Sequence, residues 1–152
     1  MLKHIWSVLC RKSIIDSETN NISLNEIMEQ IVLDLKIKEQ NLSSINAINL
    51  PIEFEVVSMF FKEVKKYTKA ELKVEFIDPQ DKIFNTIVHT FEMPEIMRRM
   101  RTRIKVMGLV VNGSGDYVFR VSLKDEDHNN YKIVAEVPLE VHINKTIDKQ
   151  SN

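Results

Sequence analysis

Apolar and polar residues alternate with a period of two along most of this chain, and that spacing restricts the fold to sheets. In YVFRVSLK, Tyr117, Phe119, Val121 and Leu123 share one face, with Arg120, Ser122 and Lys124 on the other. In YKIVAEVPLEVHI the apolar face is Ile133, Ala135, Val137, Leu139, Val141 and Ile143, opposite Lys132, Glu136, Pro138, Glu140 and His142. ELKVEFID (71–78) and RTRIKVMGLVV (101–111) alternate as cleanly, and a first strand is expected over Lys3–Ile15 with Trp6, Val8 and Cys10 on one face. KIFNTIVHTFE (82–92) is β-branched and aromatic without clean alternation. Pro138 has no backbone donor, so its strand is expected at a sheet edge or to carry a bulge.

Turn chemistry separates these runs: DSETNN (16–21), DPQD (78–81), NGSGD (112–116) and DEDHNN (125–130). All three glycines, Gly108, Gly113 and Gly115, fall within residues 108–115. A phosphate-cradling loop needs a helix after its glycines to present amides to the anion. Here an alternating strand follows Gly115, so the spacing predicts a hairpin turn at Asn112-Gly113 with a bulge at Gly115.

One segment is ambiguous. SLNEIMEQIVLDL (23–35) places Leu24, Ile27, Met28, Ile31, Val32 and Leu35 at helical spacing, and Ser23 with Glu26 would form a capping box. The six-residue turn before it argues for a hairpin and an extended strand instead. PEIMRRM (94–100) reads as a short helical turn after Pro94.

The opening hairpin (HIWSVLCRKSIIDSETNNISLNEIMEQI), the strand LPIEFEVVSMFF and the later FIDPQDKI and GSGDYVFRVSL together carry a resemblance. Over about residues 4–143 the chain resembles a group of small bacterial β-sandwich domains of unassigned function. The resemblance implies that 22–32 is extended, and it brings no catalytic signature. The expected fold is thus an all-β antiparallel β-sandwich of about seven or eight strands, immunoglobulin-like or C2-like, with one or two short helices. A single domain is expected over 1–143, with a disordered tail over 144–152.

The 152 residues carry a formal net charge of -1, so bulk charge selects neither nucleic acid nor an anionic membrane. The lone Cys10 forms no internal disulfide. Lys3, His4, Arg11 and Lys12 interrupt any secretory signal, and no apolar run is long enough to span a membrane, so a cytoplasmic protein is expected. His4, His89, His128 and His142 show no metal-ligand spacing, and the acids at 78–81, 116 and 125–127 divide between two ends, so neither metal nor cofactor is expected. Cys10 reads as a buried small hydrophobe.

Two features are candidates for function. Arg99, Arg101, Arg103 and Lys105 share one strand face, extended by Arg98, in a basic stripe roughly 20 Å long. Such a stripe could track a nucleic-acid backbone or another polyanion, although it contains no aromatic for stacking. The plain alternative is a solvated face paired with Glu71 and Glu75, or with Glu136 and Glu140, on neighbouring strands. In IEFEVVSMFF (52–61) the face that begins with Glu53 and Glu55 continues as Val57, Met59 and Phe61. That apolar patch requires cover, from residues 36–50 or from a protein partner or second copy. A non-enzymatic binding or interaction module is the leading expectation. A nucleic-acid or polyanion binder acting through 98–105 is the alternative, and a hydrolase ranks last.

Overall fold

Each alternating segment forms a strand in the computed structural model, which describes residues 1–38 and 47–148. Among the described residues the strands are β1 (Leu2–Ile15), β2 (Ile22–Ile27), β3 (Gln30–Lys38), β4 (Ile48–Lys62), β5 (Thr68–Ile77), β6 (Ile83–Met93), β7 (Arg99–Val111), β8 (Gly115–Asp125) and β9 (Lys132–Asp148). One sheet has the order β2-β1-β4-β7, the other β3-β9-β8-β5-β6. Neighbours are antiparallel except β3 and β9, which run parallel.

The inner faces of the two sheets share one core. Leu9, Phe54, Val56 and Phe60 come from the four-stranded sheet, and Leu72, Val74, Phe76, Phe119, Val121 and Leu139 from the five-stranded one. Phe54 meets Phe119 edge-on at 5.7 Å, and Phe60 stacks on Phe91 at 5.4 Å, so aromatic pairs bridge the sheets. Burying each such side chain is worth roughly 1.5–3 kcal/mol.

The helical spacing over 23–35 is overridden. The segment is extended and breaks at Met28-Glu29, so β2 belongs to one sheet and β3 to the other. Within β3, Ile31, Leu33, Leu35 and Ile37 turn inward while Val32 is exposed, which uses the same residues at period two. This split adds a strand to the expected number. Residues 94–97 close a single turn through Met97 N–H to the Pro94 carbonyl, and no helix occurs among the described residues; accordingly none is long and apolar enough to cross a membrane. Residues 144–148, expected in a disordered tail, extend β9 beside β3; 149–152 lie outside the described residues. Pro138 lies on an interior strand, β9, which carries a register shift against β8 and is locally open on its other side at this residue. It stands where β3 has not yet begun to pair, since the first β3 partner on β9 is Glu140.

Buried polar groups tie the ends of the sheets together. The Lys62 ammonium, 1% exposed, donates to the Met93 carbonyl at 3.2 Å, to that of Pro94 at 2.9 Å, and to that of Lys66, so it joins the 63–67 and 94–98 connections. At the other end, Asp78 accepts from Gln80 N–H and Lys82 N–H, and from the Asn112 carboxamide at 2.8 Å. The buried Tyr117 hydroxyl accepts from Asn112 N–H at 2.9 Å.

Residues 112–114 do not make a hairpin. β7 pairs only with β4, and β8 lies in the other sheet, so these residues form a corner between sheets. Gly113 has φ 152° and Gly115 φ 147°, and a Cβ on Gly115 would lie 2.8 Å from Pro79 Cγ. Gly113→Ala should cost about 1 kcal/mol from backbone strain alone. Gly115→Ala should cost about 1–3 kcal/mol more, because Pro79 has to move. Urea denaturation of the two variants checks this; equal losses would rule out the close approach to Pro79.

Candidate functional site

β4 is apolar on both sides through its second half. Its inner residues Phe54, Val56 and Phe60 enter the core, while Val57, fully buried, lies on the outer face. The outer face of β1 matches it. A register shift between His4 and Trp6 sends His4 inward, edge-on to Phe60, and turns Trp6, Val8 and Cys10 outward. Trp6 pairs with Met59, and Met59 with Arg101, so indole, thioether and guanidinium form one row across three strands.

The β1–β2 hairpin covers this outer face. β1 stops pairing with β4 at Cys10–Glu55. Beyond that point, the buried Glu55 carboxylate accepts from Ser13 N–H at 3.1 Å and from the Ser13 hydroxyl. Arg103 donates to the Ser13 carbonyl at 3.4 Å, and Arg101 donates to the Asn20 carbonyl at 2.7 Å and its carboxamide oxygen at 2.9 Å. Both arginines stand on β7, on the far side of β4 from β1, so the hairpin crosses β4 to reach them. Its tip is shaped by Asp16, whose carboxylate accepts from Thr19 N–H and Glu18 N–H and is thereby held below its ordinary pKa.

The hairpin therefore covers part of this face, and the cover expected from residues 36–50 falls largely on residues that are not described. Of residues 36–50, 36–38 belong to β3, 48–50 begin β4, and 39–46 lie outside the described residues. At the candidate patch of Val57, Met59 and Phe61, Val57 is 0% exposed, and the Arg98 guanidinium lies 5.0 Å over the partly exposed Phe61 ring. Met59 remains partly exposed, inside a cleft.

That cleft, of about 740 Å³, opens between the hairpin tip and the strands beneath it. Trp6, Met59, Met97, Asn20, Arg99 and Arg101 line it. A second cleft of about 390 Å³ continues along β7, where Arg11, Lys12, Arg103 and Lys105 gather beside Glu53 and Glu55. Among the described residues, none of Arg98, Arg99, Arg101, Arg103 and Lys105 makes an ion pair. The acids expected to pair with them lie in the other sheet. There Glu71 meets Lys124 at 3.7 Å, Glu75 meets Lys73 at 3.0 Å, Glu136 meets Arg120 at 2.8 Å and Glu140 meets His142 at 2.8 Å.

Sequence reasoning missed Trp6 as part of the stripe. Some ninety residues of chain separate it from Arg101, and only the β1–β4–β7 register makes them neighbours. The available signal was the shared parity of Trp6, Val8 and Cys10, an apolar face on β1 like that of β4.

A smaller cleft of about 260 Å³ holds His4, Asp125, His128 and Lys132. His128 Nδ1 lies 2.6 Å from Asp125, whereas His4 Nε2 lies 2.8 Å from the Ser7 hydroxyl, which in turn lies 2.7 Å from that of Ser58. The carboxylate and the hydroxyl thus belong to different imidazoles. Burial holds His4 below its ordinary pKa. Burial, with the neighbouring Glu55 carboxylate, pushes the Cys10 thiol up, the opposite of what activates a nucleophile. No three His, Cys, Asp or Glu side chains converge as a metal site among the described residues. A scan of the chain against protein-family models finds no match, and a search of curated proteins finds none.

Glu55→Ala leaves Ser13 N–H without its acceptor, a loss of roughly 1–3 kcal/mol for a buried donor. Amide exchange over 13–22 should rise while that of β5 and β8 holds, and Glu55→Gln, which keeps an acceptor, should restore most of the protection. Unchanged exchange over 13–22 would show that Glu55 does not latch the hairpin.

Proposed function

We propose that this chain is a non-enzymatic binding module of the β-sandwich type, immunoglobulin-like or C2-like, whose ligand is a polyanion bound along the outer face of β7. Two sheets closed on one core support the sandwich reading. The observation that carries the functional reading is the row Arg98, Arg99, Arg101, Arg103 and Lys105, without an ion pair among the described residues. On the five-stranded sheet acids and bases are interleaved; on β7 they are not. Closely spaced like charges repel, and a polyanion relieves that repulsion while releasing its own counterions.

Position supports the same reading. β7 is a terminal strand, so the row lies beside an open sheet edge that a long ligand can follow. Cations on an edge strand also oppose pairing with another copy, since antiparallel β7–β7 contact would set two basic rows side by side. The module works without a cofactor, and the single cysteine suits a reducing cytoplasm.

Heparin-agarose tests the charge directly. Arg99 and Lys105 make no hydrogen bond to the hairpin among the described residues, so Arg99→Gln/Lys105→Gln removes charge and leaves the latch intact. The wild type should be retained and elute with added salt, and the double variant should elute clearly earlier with an unchanged melting temperature. Wild-type protein in the flow-through at low salt, or identical elution of both proteins, would contradict the proposal.

A further inference from the structure

We infer that the polyanion is a single-stranded nucleic acid, with a base held against Trp6 in the cleft and the phosphates following the β7 cations. This rests on the polyanion reading and adds the identity of the ligand. Sequence-tolerant single-strand binders combine a cationic track for the backbone with an aromatic on which bases stack. The chain brings both parts to one surface: Trp6 on β1 and Arg101 on β7 stand in one register row with Met59 between them.

The dimensions suit this ligand. Two inter-strand steps of about 4.8 Å put the Trp6 and Arg101 backbones about 10 Å apart. Their side chains then line one cleft, with Arg99 beside them. Alternate residues on β7 repeat every ~6.7 Å, of the order of the phosphate repeat in an extended single strand. Met59 and Met97 add polarizable thioethers to the same cleft, which suit the face of a base. A sulfated polysaccharide would satisfy the cations but offers no flat π-face to stack on the indole. A duplex would present phosphates while keeping its bases stacked within.

Trp6 is the only tryptophan, so intrinsic fluorescence reports from inside the cleft. The full chain is titrated with a short oligothymidylate, the same sequence as a duplex, and a heparin oligosaccharide, and binding is followed separately by anisotropy of labelled ligands. Oligothymidylate should bind and quench Trp6, heparin should bind without quenching, and the duplex should bind more weakly than the single strand. Trp6→Leu should weaken oligothymidylate binding by roughly 5- to 100-fold, the loss of one base–aromatic stack. It should leave heparin affinity unchanged, and Trp6→Phe should keep most of the oligothymidylate affinity. A melting temperature close to that of the wild type shows that the Trp6→Leu variant is folded. If oligothymidylate binds without quenching and without dependence on Trp6, the nucleic-acid inference fails and the polyanion reading stands. If no ligand binds, both fail.

Discussion

Everything distinctive in this molecule follows from one strand that is apolar on both sides. The inner face of β4 is buried by the opposing sheet, as in any two-sheet fold. Its outer face would expose Val57, Met59 and Phe61 to water, and β1 adds Trp6, Val8 and Cys10 beside them. Each such side chain left exposed forgoes roughly 1.5–3 kcal/mol. The chain recovers much of this by curling the β1–β2 hairpin over β4. The hairpin backbone then needs polar partners on a surface it would otherwise clash with chemically. Glu55 accepts from Ser13, while Arg101 and Arg103 donate to Asn20 and Ser13. A buried carboxylate is costly when unpaired; here a backbone amide and a hydroxyl offset that cost.

The same arrangement creates the cleft. Asn20 at the hairpin tip bonds Arg101, both line the cleft, and Trp6 with Met59 forms its apolar part. Arg101 and Arg103 hydrogen-bond the hairpin, whereas Arg99 and Lys105 make neither a hydrogen bond to it nor an ion pair among the described residues, although Lys105 stands opposite Glu55. In the proposed binding mode, phosphate groups would compete with the Asn20 and Ser13 oxygens for the two guanidiniums, which would couple ligand binding to hairpin seating.

The strands were legible because period-two alternation survives wherever one face is buried, as in 117–124 and 131–143. The strand nature of 23–35 was hard to read locally, since Leu24, Ile27, Ile31 and Leu35 satisfy a helix as well as a strand. The two sheets need edge strands at that point, and that requirement is not local. Sheet membership was equally hidden: Asn112-Gly113 has hairpin chemistry yet joins different sheets. Of the site, the cation row and the two-faced character of β4 could be read directly. The partners assigned to the cations were wrong because Glu71, Glu75, Glu136 and Glu140 alternate correctly but in the other sheet. Trp6 was invisible as a site residue because its place depends on the register of two strand pairs, fixed by contacts far apart in sequence.

The central claim, that the hairpin crosses β4 to reach β7, is tested most directly by long-range nuclear Overhauser effects in the free protein. Cross-peaks are predicted between Asn20 and the Arg101 side chain, and between Ser13 and the Glu55 side chain, alongside the ordinary Ile15–Ile22 hairpin contacts. An intact hairpin, with its Ile15–Ile22 cross-peaks but none from residues 13–22 to β4 or β7, would contradict the account.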